Sequence, residues 1–102
     1  MTFDTTTLLL DRDADPLLFN DKPMTLRAAL LTAVDAQLSG DEASDGSAKM
    51  HLYRLGMTIH TETDVDLPAE DIALLKERVV KCFGPIVVGR VFELLDPVSA
   101  SR

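Results

Sequence analysis

Asp11, Asp13 and Asp15 alternate along Asp-Arg-Asp-Ala-Asp-Pro, the spacing with which a calcium loop begins. Such a loop also needs a glycine at its sixth position and a bidentate glutamate at its twelfth. Pro16 and Lys22 stand there instead, so the segment reads as a polar turn. The only imidazoles, His51 and His60, lie nine residues apart on a predicted helix. At 100° per residue they point in opposite directions and cannot share a metal. Cys82 is the single thiol; it shares a predicted apolar helix face with Leu75 and Val79, which suits packing better than nucleophilic attack. No phosphate-cradling glycine loop, nucleophile elbow or paired-carboxylate pattern occurs. The expectation is a protein that is not an enzyme, with no cofactor and no metal.

Four basic residues, Lys76, Arg78, Lys81 and Arg90, gather late in the chain. Nucleic-acid binding would use such a patch together with exposed aromatics and a favourable overall field. The chain has one tyrosine and a formal charge of -7, so these residues read first as a solvated helix face. A small regulator that binds a ligand or nucleic acid through them is the alternative reading.

Apolar residues outside the predicted core stripes point elsewhere. Met50, Tyr53 and Met57 form a second stripe on a helix whose core stripe is Leu52, Leu55 and Ile59. Leu74 projects from the following helix on the side opposite Ile72, between Lys81 and Arg78. Methionine is adaptable and tyrosine amphipathic, and both are common at protein interfaces. Met50, Tyr53, Met57 and Leu74 are therefore the candidate protein-interface residues.

The elements that position these groups follow from the hydrophobic spacing. Residues 1–24 carry two short apolar runs, Leu8-Leu9-Leu10 and Leu17-Leu18-Phe19, around the aspartate- and proline-rich break. They predict a small β-hairpin or extended arm. Thr25 is a candidate N-cap for a helix in which Leu26, Leu30, Ala33, Val34 and Leu38 recur, closed by Ser39-Gly40. Residues 39–47 hold no large apolar side chain and predict a mobile loop. A second helix is expected from about Ala48 to His60. Asp64-Val65-Asp66-Leu67-Pro68 then leads into a third, with Ile72, Leu75, Val79, Cys82 and Phe83 on one face. Gly84-Pro85 turns the corner into a fourth, Pro85–Leu95, and the tail 97–102 is expected to fray. The predicted fold is mainly α: a small four-helix domain over 25–96 with an N-terminal β-hairpin or arm, a minor β contribution.

Composition narrows the classes. At 102 residues, 46% hydrophobic and 26% charged, the chain has the make-up of one globular domain. No apolar run approaches the roughly 20 residues of a membrane span. The opening residues lack the basic and apolar regions of a secretory signal, and the lone cysteine suits a reducing compartment. The expected setting is the cytoplasm, away from membranes. Up to His51 there are nine acids against four bases, and eight against six beyond it. This field disfavours nucleic-acid partners and favours basic ones, a DNA-mimicking inhibitor being one form of that idea.

Asp64 to Val79, followed by Gly84-Pro85-Ile86-Val87-Val88-Gly89-Arg90 and Leu94-Leu95, resembles a family of small proteins encoded by tailed bacteriophages and prophages. The likeness spans about residues 8–95 and also takes in the N-terminal extended region, the Leu-rich helix and the polar loop. It implies phage origin and carries no catalytic or binding residues with it. The expected function is a non-enzymatic phage or prophage protein working by protein–protein contact. It would serve as a virion-assembly accessory or chaperone, or as an inhibitor of a host defence or regulatory protein. The expected partners are a second copy in a homo-oligomer, a virion component or a host protein.

Overall fold

Leu26, Ala29, Leu30 and Ala33 recur at helical spacing, and all four are wholly buried. They form the inner face of α1, Leu26–Asp35, which packs against three other helices. A computed structural model describes residues 2–36, 38 and 46–95 of the chain. Those residues contain α1, α2 (Gly46–Thr61), α3 (Ala69–Cys82) and α4 (Pro85–Leu95). Four short strands accompany them: β1 (Thr2–Asp4), β2 (Leu18–Phe19), β3 (Lys22–Pro23) and β4 (Asp64–Asp66). The protein is mainly α with a minor β part, as the spacing predicted.

Thr25 caps α1 as expected, its hydroxyl accepting from the Ala28 amide at 3.1 Å. The helix stops at Asp35, short of the expected Leu38, with the Ala36 amide donating back to the Thr32 carbonyl. Ser39-Gly40 lies outside the described residues, as do the rest of 39–45 and the tail 97–102. The predicted loop ends earlier than residue 47, because Gly46 and Ser47 already form the first turn of α2. α3 starts just after Pro68, whose carbonyl accepts from Asp71 and Ile72, and α4 spans Pro85–Leu95 as read from the sequence.

The segment before α3 is a correction. Asp64-Val65-Asp66 is not a simple lead-in but β4, antiparallel to β1 with Phe3 opposite Val65. Both central residues are buried and their neighbours are exposed, the alternation of a one-sided strand pair. The N-terminal arm thus folds onto its own chain: Phe3, Leu9 and Met24 join the core with α1, Leu75, Val79, Val91 and Leu95. The strand hairpin lies at 18–23, one turn later than the expected pairing of the two apolar runs around the aspartate- and proline-rich break. Leu18 pairs with Pro23 and Phe19 with Lys22, joined by Asn20-Asp21, both at positive φ. Two consecutive residues there make the turn that suits a two-residue hairpin. The two apolar runs also meet: the Leu17 amide donates to the Leu9 carbonyl at 2.9 Å, beside a bridge between Leu10 and Pro16.

Candidate functional site

α2 buries Leu55, Gly56 and Ile59. Residues half a helical turn away must face outward, and Met50, Tyr53 and Met57 do, at 45%, 60% and 45% exposure. Their spacing of three and four residues makes a narrow stripe along the helix, the seam by which helices pair. Three large apolar side chains thus share the outer face of one helix.

Each side of the stripe is built differently. On one side α2 approaches the end of α1 at Gly56: a Cβ there would stand 3.3 Å from Val34 Cγ1 and 3.8 Å from Asp35 Oδ1. The missing side chain lets the helices close and leaves a groove of about 200 Å³ beside the stripe. Leu31, Asp35, Tyr53, Gly56, Met57 and His60 line it. The Asp35 carboxylate accepts no hydrogen bond and joins no ion pair among the described residues. It stands at the negative end of α1, where no basic residue occupies the last turn. On the other side lies Arg54, exposed and also without a side-chain partner among the described residues. Further round, His51 Nε2 meets Asp71 Oδ1 of α3 at 2.7 Å.

Leu74 does not belong to this surface. It is half-buried and packs against the core, because Arg78 beside it on α3 is buried and turns the covered arc of the helix toward Leu74. The exposed large apolar residue of α3 is Val80.

The basic patch is dispersed by the fold. Arg78 is 5% exposed; its Nε donates to the Ala33 carbonyl at 2.8 Å and its Nη2 to those of Val34 and Ala36 at 3.3 and 2.6 Å. It thereby satisfies the carbonyls that the end of α1 leaves without amides. Arg90 donates to the Leu10 and Asp11 carbonyls at 2.9 and 2.7 Å and holds the N-terminal turn against α4. Lys76 lies over the Phe92 ring, 5.2 Å from its centre. Lys81 pairs with Glu77 at 3.3 Å across one helical turn, an i,i+4 pair. Two of the four residues of the predicted basic patch, Arg78 and Arg90, are thus already engaged by backbone carbonyls.

A third arginine, which the sequence does not single out, acts similarly. Arg27 of α1 donates to the Ile59 and Glu62 carbonyls at the end of α2, and to the Thr5 hydroxyl. Thr5 is fully buried and donates in turn to the Glu62 and Thr63 carbonyls. In the Asp11–Asp15 turn, Asp11 Oδ1 accepts from the Asp13 and Asp15 amides, so that carboxylate orders the turn itself. Among the described residues no three His, Cys, Asp or Glu side chains converge as a metal set. No described helix is long and apolar enough to cross a membrane. Cys82 is half-buried against the core.

A second exposed apolar group, Leu8, Leu18 and Phe19, lies on the N-terminal arm and hairpin. Of the two apolar runs only Leu18–Phe19 is a strand, and a two-residue strand leaves no pattern that tells covered from open faces. No family model, curated protein or solved structure matches the chain.

Proposed function

We propose that this is a non-enzymatic protein that works by protein–protein contact through the outer face of α2. The observation that carries the reading is the exposed stripe Met50, Tyr53 and Met57, bordered by the groove at Gly56 and Asp35. A side chain of one of these types loses up to about 2–3 kcal/mol of burial while it faces water, and nothing within the described fold covers this stripe. The sequence resemblance to phage and prophage proteins supports a setting in virion assembly or in the inhibition of a host protein. The partner is accordingly another copy, a virion component or a host protein. The acidic surface supports a partner with basic character.

The alternative, a ligand- or nucleic-acid-binding regulator using Lys76, Arg78, Lys81 and Arg90, loses support. Two of its four residues hold backbone carbonyls, and the other two are engaged by Phe92 and Glu77.

Site-specific photo-crosslinking in the cells that carry the gene tests the contact reading. A benzophenone side chain at position 53 should give a discrete crosslinked product, whereas one at Val80, exposed on α3, should not. Equal, diffuse labelling from both positions would remove the reading.

A further inference from the structure

The groove beside the α2 stripe is small. At about 200 Å³ it falls below the roughly 300–1,000 Å³ of small-molecule sites. It is the size for a single side chain, and its charged wall, Asp35, has no partner among the described residues. The chemistry that completes it is a cation on an aliphatic stem: the stem covers Leu31 and Met57 while the head reaches Asp35.

Such a cation stands on the same helix. At 100° per residue, Gly56 lies about 100° to one side of the line through Met57 and Arg54 about 60° to the other. Along the axis the two differ by about 3 Å. The apolar stripe is therefore bordered at one level by a carboxylate and a guanidinium, both exposed and without partners among the described residues.

Symmetry decides how two such faces meet. A two-fold axis perpendicular to paired helices sets each border against its own copy, acid facing acid. A two-fold axis parallel to the helices sets each border against the opposite one, so that Arg54 of each copy meets Asp35 of the other, twice per pair. The spacing 50, 53, 57 is that of the a and d positions in such parallel pairs. We infer that two copies of this chain associate through parallel α2 helices, each lending Arg54 to the Asp35 groove of the other. The inference rests on the contact reading above and names its partner. Lys49 lies on the Asp35 side of the stripe, about 10 Å before Gly56 along the axis, and weakens the pairing by facing Arg54.

Sedimentation equilibrium of the purified full chain, from about 1 μM to 1 mM, tests the inference. Interfacial charge pairs contribute modestly each, and two are reversed at once. Asp35→Arg and Arg54→Asp should each weaken the dimer by about tenfold or more. The double variant Asp35→Arg/Arg54→Asp should recover to within about threefold of the wild type, and Lys49→Glu should tighten it. Both swapped side chains are exposed, and an unchanged helical circular-dichroism spectrum will show that each variant is folded. A wild type that stays monomeric up to 1 mM overturns the inference, and so does a dimer indifferent to the swaps. If position 53 nevertheless crosslinks to a different protein in cells, the contact reading stands and only the second copy is excluded.

Discussion

The Arg78 guanidinium of α3 lies buried against the last turn of α1, its Nε 2.8 Å from the Ala33 carbonyl. Hydrogen bonds from charged donors contribute about 1.5–3 kcal/mol, and a buried acceptor left unsatisfied costs a similar amount. Arg78→Ala should therefore destabilise the protein by about 3 kcal/mol or more. For a domain of this size that lowers Tm by well over about 10 °C. Arg78→Lys, which lacks the planar fork, should recover less than half. A loss below about 0.5 kcal/mol in a denaturant melt would show that the arginine is not what closes α1.

Gly56 separates two effects of opposite sign. Alanine gains about 1 kcal/mol of helix propensity over glycine, but its Cβ would press Val34 Cγ1 at 3.3 Å. Gly56→Ala should leave stability within about 1 kcal/mol of wild type. Gly56→Leu forces α1 and α2 apart and should cost about 2 kcal/mol or more. A neutral Gly56→Leu would mean that the helices do not meet as described.

The exposed stripe predicts surface behaviour. In protein dilute enough to be monomeric, Tyr53→Glu and Met57→Glu should each change unfolding free energy by no more than about 0.5 kcal/mol, since neither side chain supports the core. The Leu30→Ala control, at a wholly buried position, should cost about 2–5 kcal/mol. Thermal melts of the three variants make the comparison.

Asp4 gives a pH signature. Hydrogen bonds from the Thr6 hydroxyl at 2.6 Å and the Thr6 amide at 2.8 Å hold its carboxyl below the ordinary aspartate value. A depressed carboxyl stabilises the fold above the unfolded value, and this contribution fades as pH falls through the folded one. In an NMR titration Thr6→Ala should move Asp4 upward; an unmoved midpoint would contradict the assignment.

How much of this was legible in the sequence follows from which interactions have periodicity. The α4 helix, its start at Pro85 and the Thr25 cap depend on local residue types, and the spacing shows them directly. The β1–β4 pair joins residues some sixty positions apart. Its three-residue strands are too short to alternate recognisably, so Val65 read as linker. Arg27, Arg78 and Arg90 bond to backbone carbonyls, which every residue has. No sequence pattern distinguishes such arginines from solvated ones, and the apparent basic patch arose from that. The burial of Arg78 also carried Leu74 inward. Met50, Tyr53 and Met57 were recognisable because a helix with two apolar stripes has one too many for its own core. The groove beside them was not, since it depends on a glycine at a helix crossing.

The two methionines of the stripe make the most direct measurement. Met50 and Met57 are each 45% exposed while Met24 is buried, so brief oxidation reports on coverage with an internal reference. In dilute purified protein, Met50 and Met57 should oxidise readily and Met24 slowly. In the cells that carry the gene, the account predicts strong protection of Met50 and Met57 with Met24 unchanged. Equal oxidation of Met50 and Met57 in both settings would contradict the claim that the outer face of α2 is a contact surface.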